Sequence, residues 1–160
     1  MSVAFTKEDS AETAAETMLP DRPVSAAANL VTEAGLQALE TQFEQARAAY
    51  DAANAVEDVN ERRRQGAAPL RDLRYLAERL RTAQLVARPA SSDVVAFGHK
   101  VTYRRDDGKR ATYRIVGEDE ADPRTGSMSY RAPVALRLLG KSVGDIVELG
   151  DSELEILAIA

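Results

Sequence analysis

Three acids and a run of arginines are the residues whose types and spacing can do chemistry. Glu57 and Asp58 are followed by Glu61, and directly after them come Arg62, Arg63 and Arg64, with Arg71 and Arg74 further on. Guanidinium groups in such a run can contact phosphate or an acidic wall. Their bland role is a solvated helix face laced with i,i+4 pairs such as Arg74 with Glu78. The three acids have a bland role as well, that of solvated turn residues. The remaining chemistry is sparse. There is no cysteine, which excludes disulfides, thiol nucleophiles and thiolate metal sites. A single histidine, His99, makes a histidine metal cluster or a histidine-based triad implausible, and its surroundings read as a strand surface. The net charge of -5 argues against a global footprint on duplex DNA, although arginine is concentrated locally.

Two apolar seams position these residues. Thr32 can cap a helix with its hydroxyl. Leu39, Phe43, Ala46, Tyr50 and Ala53 then recur at alternating spacings of four and three, as in a coiled-coil seam. Leu73, Leu76, Leu80 and Ala83 form a second seam. Pairing Leu39 with Leu80, Phe43 with Leu76 and Ala46 with Leu73 makes an antiparallel hairpin that bends near residues 59–60, beside the acids. The first arm, from residue 33 to the bend, is about 27 residues or roughly 40 Å of helix. Gly66 and Pro69 disturb the second seam. Either Pro69 opens the second helix and residues 58–68 form a loop, or the helix starts near Asn60 and passes Pro69 with a weakened first part. The second is the preferred reading.

The rest of the chain reads differently. Residues 1–29 lack periodicity and hold two prolines, so they read as an extended arm, mostly disordered in isolation. Val3, Phe5, Met18 or Leu19 would pack it on the base of the hairpin. Residues 87–93 form a linker rich in Ser, Ala and Pro. From residue 94 the pattern is β. VVAFGHKVTYRR and RATYRIVG read as strands about an Asp107-Gly108 turn. SMSY is a short strand, APVALRLLG a short helix, and DIVEL with ELEILAIA a closing hairpin around Gly150. The fold class is α+β: a hairpin over 30–86 and a small sheet with one short helix over 94–160. No run of about 18 apolar residues is present, so no membrane span is expected. No signal peptide is evident either, and a soluble cytoplasmic protein is the default expectation.

The string TYRIVGEDEAD (112–122), followed by APVALRLLGKSVGDIVEL (132–149), resembles the C-terminal signature of the Gre family of bacterial transcription elongation factors. Ile115-Val116-Gly117, Glu120-Ala121-Asp122, Ser129, Pro133, Ala135, Leu138 to Lys141 and Val143-Gly144-Asp145 carry the match. Upstream, Val31-Thr32 with Gly35 and Leu39 is similar to the family's helix opening, and Ala83 to Val86 to the end of its second helix. The resemblance covers about residues 30–160.

The resemblance implies an FKBP-like C-terminal domain that grips bacterial RNA polymerase, with Asp122, Ser129 and Pro133 as contact candidates. It implies a coiled coil entering the secondary channel, and a monomer acting as an accessory factor with no active site of its own. Glu57, Asp58 and Glu61 would then stand at the tip. In members that rescue backtracked complexes, tip carboxylates help hold Mg2+ at the polymerase active site, which cleaves the extruded 3′ end of the nascent RNA. The arginines Arg62, Arg63, Arg64, Arg71 and Arg74 would face RNA or the channel wall.

This chain departs from the family's tip pattern, lacking its glycine and its closing Ala-Glu-Tyr. Its arms are shorter by roughly a heptad, on the order of 10 Å. That keeps an alternative open, a non-cleaving factor that occupies the channel. Nucleoside diphosphate kinase regulators share the C-terminal domain but carry a much shorter hairpin. A prolyl isomerase is disfavoured, because a fold does not convey function and the domain offers only Phe97, Tyr103, Tyr113 and Tyr130 as lining. A coiled-coil scaffold is the third option.

Overall fold

The computed structural model describes residues 18–160. By contacts the described chain divides into two units, one of residues 18–27 and 39–82, the other of 28–38 and 83–160. This division falls differently from the sequence boundaries, because residues 28–38 and 83–86 count with the sheet. The expectations for Val3 and Phe5 lie outside the described residues.

The first unit is built on two helices, α1 (Glu33–Asn54) from Leu39 onward and α2 (Val59–Thr82). The α1 sequence is mostly Ala, Gln and Glu, all good helix formers. Leu39 and Ala53 of its seam are buried and Phe43, Ala46 and Tyr50 half-buried, while the residues between them are largely exposed. Helix α2 buries Gly66, Leu76 and Arg79. The loop alternative for residues 58–68 is excluded, since α2 is continuous from Val59 and carries Pro69 inside it. Proline there supplies no N–H to the preceding turn. Helix α1 has 22 residues, fewer than the 27 expected, because it ends at Asn54.

Gly66 is a packing position. A Cβ built on it would lie 3.7 Å from Ala53 Cβ and 3.7 Å from the Tyr50 ring, which is ordinary contact. The site therefore has room for a methyl group, and glycine inside a helix is costly through backbone entropy. Gly66→Ala is expected to stabilise the protein by about 0.5–1 kcal/mol. Chemical denaturation reads this directly, and a loss of stability would show that the helices need the bare backbone.

Near the end of α2, Arg81 bonds Glu78 at 2.6 and 2.9 Å. That hydrogen bond, with the attraction of the guanidinium, holds the Glu78 carboxyl below its ordinary value of 4.5. A depressed carboxylate contributes stability above its unfolded pKa and loses it as pH falls through the folded value. The pair is solvent-exposed and so screened by salt. Acid should erode the difference between wild type and Glu78→Gln only below about pH 4.5, and pH-resolved thermal melts check it.

In the second unit, β1 (Leu30–Val31) pairs in parallel with β2 (Gln84–Leu85). Five more strands follow: β3 (Lys100–Arg105), β4 (Arg110–Val116), β5 (Ser127–Ser129), β6 (Ile146–Leu149) and β7 (Ser152–Ile159). Their spatial order is β5-β4-β3-β7-β6, with β4 and β5 parallel and the other pairs antiparallel. The turn at Asp107-Gly108 closes the β3–β4 hairpin, and Gly108 takes φ +80, where a side chain would be strained. Alternation in β3 sends Val101 and Tyr103 into the core with Ile115, Leu154 and Ile156. The short helix α3 (Pro133–Leu138) adds Ala135 and Leu138.

Two expectations need correction. Residues 94–99 are not strand, since β3 begins at Lys100. Val95 is instead tied to the connection after α3, donating to Lys141 O and accepting from Gly140 N. His99 is not a surface residue but 3% exposed, and its Nδ1 accepts the Ala96 amide at 2.9 Å. It closes a turn at the edge of the core.

Candidate functional site

The tip of the hairpin is a turn in which Asp58, Glu61 and Arg62 have structural work. Asp58 precedes α2 and its Oδ1 accepts the Glu61 amide at 2.7 Å. That satisfies one of the amides that a helix start leaves unpaired. Glu61 sits in the first turn, where a negative charge is favourable. Its carboxylate accepts from Gln65 Nε2 at 3.0 Å and lies 3.6 Å from Arg64. Helix α1 has no basic residue in its last turn. Arg62 fills that role from the other arm: its Nε donates to Val56 O at 2.7 Å and an Nη to Glu57 O at 3.3 Å. Glu57 is exposed. Among the described residues no three His, Cys, Asp or Glu side chains gather as metal ligands.

The arginines divide. Arg62 is spent on the turn. Arg63 and Arg64 are exposed. Arg71 lies 3.6 Å from Asp72, and Arg74 lies 3.4 Å from Asp21. Asp21 belongs to an irregular strap, residues 18–27, that runs along α2. Arg22 bonds Asp72 at 3.2 Å and stacks 3.8 Å over the Tyr75 ring. Met18 and Leu19 line a cavity with Tyr50, Arg63, Gly66 and Leu70. The strap thus climbs toward the turn, and Met18 and Leu19 are not at the hairpin base as the sequence reading had them. Arg22 and Asp21 were missed because nothing local marks partners fifty positions away.

In the second unit, the loop after β4 carries the signature residues. Asp122 caps the short 3-10 turn Pro123–Thr125 by accepting the Arg124 amide at 3.1 Å, and its own amide donates to Ser127 Oγ at 2.9 Å. Ser129 pairs with Val116 across β5 and β4, and its Oγ accepts the Arg131 amide. Pro133 opens α3, where a missing N–H costs nothing. Glu120 accepts a 2.6 Å hydrogen bond from Thr32, whose hydroxyl in turn accepts the Gly35 amide and caps α1. The acidic loop is therefore anchored to the first turn of α1. Leu136, Val143 and Ile146 are all more than half exposed.

The fold defines a class: an antiparallel helical hairpin with a polar turn, joined in one chain to a small mixed sheet with one short helix. The family model described as "Transcription elongation factor, GreA/GreB, C-term" matches residues 90–160. The chain is 36% identical over 118 residues to transcription elongation factor GreA of Rhizobium leguminosarum bv. trifolii, covering 71% of this chain and 70% of that one. It is 40% identical over 104 residues to GreA of Desulfovibrio desulfuricans, covering 64% of this chain and 59% of the relative. With GreB of Pseudomonas aeruginosa it shares 43% identity over 72 residues, 44% of this chain and 43% of that one. The chain belongs to the GreA/GreB family of transcription elongation factors. Its matches span less than two thirds of several of these relatives. Among solved structures it is similar to GreA factor homolog 1 of Thermus thermophilus at 23% identity and TM-score 0.39, covering 84% of this chain and 99% of that one. The names that its relatives carry are those of transcription factors, not of enzymes. No described helix is long and apolar enough to cross a membrane.

Proposed function

We propose that this chain binds bacterial RNA polymerase during elongation and places its hairpin in the secondary channel. The single observation behind this reading is a self-supporting acidic turn at the end of a helical hairpin, in a chain of the GreA/GreB family. The sheet unit supplies the grip through the segment holding Asp122, Ser129 and Pro133, as loops on a rigid scaffold commonly do.

The tip does not make a metal site by itself. A Mg2+ ion shared with the polymerase asks less, one or two carboxylates with other ligands from elsewhere. Glu57, Asp58 and Glu61 meet that demand in number. Such an ion would polarise phosphate and lower the pKa of bound water. The residues of this chain orient the tip: Asp58 fixes the start of α2, and Arg62 holds the carbonyls of Val56 and Glu57.

A second reading, a channel-occupying regulator that does not support cleavage, has its own observation. Asp58 Oδ1 is committed to the cap and Glu61 to Gln65 and Arg64.

Transcript cleavage in stalled, backtracked complexes separates the two. Glu57→Gln, Asp58→Asn and Glu61→Gln together keep a capping oxygen while removing charge. Polymerase affinity is expected to hold, and cleavage to fall by about tenfold or more. Binding without cleavage by the wild type selects the occupying regulator. Failure of the wild type to bind polymerase overturns both.

A further inference from the structure

We propose that the cavity near the hairpin turn is a binding site for a free nucleoside triphosphate. Its lining is unusual for a chain of net charge -5. Arg62, Arg63, Arg71 and Arg74 all border it, Asn54 adds an amide, and no acid lines it. Like charges gathered without a counter-charge repel one another, and a bound polyanion relieves that repulsion.

Two of these guanidiniums are already engaged. Arg62 holds the carbonyls of the turn, and Arg74 lies 3.4 Å from Asp21. Arg63 is exposed. Arg71 is the informative one. Its Nε is buried with no hydrogen-bond partner, and Asp72 at 3.6 Å is too far to accept from it. A buried donor left unpaired is costly, so an anion seated against this side chain supplies an acceptor that the protein does not. Arg63 and Arg71 stand eight positions apart on α2 with Ala67 midway, about 12 Å along the axis. Both side chains are long enough to close on one phosphate chain over that small residue. The cavity measures about 410 Å³, a size suited to one nucleotide. Tyr50 and Leu70 give it an apolar wall against which a flat base can lie.

Isothermal titration calorimetry of the full chain at about 0.1 M salt is the test. ATP should bind one to one with a Kd on the order of 100 μM. Inorganic tripolyphosphate, which has the charge but no base, should bind about tenfold more weakly. Arg71→Gln should weaken ATP binding by about tenfold. Ala67→Leu changes no charge but fills the hollow, and should weaken ATP by about tenfold as well. Lys109→Gln, which removes an exposed charge at the β3–β4 turn, should leave binding unmoved. Thermal melts establish that each variant is folded. No binding of ATP up to about 1 mM overturns the proposal. So does tripolyphosphate binding as tightly as ATP, or a folded Ala67→Leu binding like wild type, since either shows a surface attraction between charges. A short RNA that binds more tightly than ATP overturns it too, by assigning the cavity to RNA. The measurement needs no polymerase, so its outcome is independent of the function proposed above.

Discussion

Gly117→Ala is expected to cost about 3 kcal/mol, a fall in Tm on the order of 10 °C. Gly117 follows β4 directly, and a Cβ there would stand 2.4 Å from the carbonyl oxygen of Leu30 and 3.7 Å from Val31 Cα. These are backbone atoms of a paired strand. Leu30 and Val31 are held in register with Gln84 and Leu85, and Gln84 donates to Asn29 O at 2.8 Å. A side chain could swing aside, but this backbone cannot without opening the β1–β2 pair. The position also precedes the loop whose Glu120 holds the Thr32 cap, so the strain would spread into the start of α1. A comparison isolates the cause. Gly108 has nothing within 4 Å of its Cβ position but a φ of +80, so Gly108→Ala should lose only about 1–2 kcal/mol through backbone strain. Thermal melts of the two variants compare them. A Gly117→Ala protein as stable as Gly108→Ala would refute the close approach.

Arg79→Ala is expected to cost about 3–5 kcal/mol. Arg79 is 1% exposed within α2, and it is engaged by its surroundings. Truncating it removes the interaction that its guanidinium makes and the packing of a long aliphatic stem. Arg79→Met separates the two losses. Methionine keeps most of the volume, and well-packed apolar replacements of buried charged groups are often tolerated. The expectation is therefore a large loss for alanine and a smaller one for methionine, read by denaturant unfolding. Equal and small effects would mean that the guanidinium carries no part of the packing.

Much of the hairpin was legible in the sequence, for a simple reason. A seam repeating at three and four residues can bury its apolar side chains only as a helix against another helix. Ala53 against Gly66 keeps the same register that pairs Phe43 with Leu76. The turn was legible too, because Asp58 is three residues before Glu61 and both suit a helix start. The Asp107-Gly108 hairpin announced itself through a residue pair that accepts positive φ.

Other features depended on partners far away in the chain. Residues 94–99 have strand-like composition, yet Val95 is held by Lys141 and Gly140 instead of a neighbouring strand. His99 was placed on a surface because a lone polar residue gives no sign of burial, but its ring takes up the Ala96 amide inside. Arg79 sits among exposed charges in sequence and is buried in three dimensions. The strap is the largest such case, since Arg22 meets Asp72 fifty residues on.

The amino-acid order by itself determined the class of each segment, helix seam or strand or turn, because those choices rest on local periodicity and local backbone preference. It also placed the acids at a bend, since register follows from the apolar pattern. Only the tertiary structure decided which charged side chains stand free and which are consumed. Asp58 became a cap, Arg62 a clamp on the turn, and Asp21 and Arg22 partners of α2. A charge's role depends on the groups that surround it, and those arrive only when distant parts of the chain are folded together.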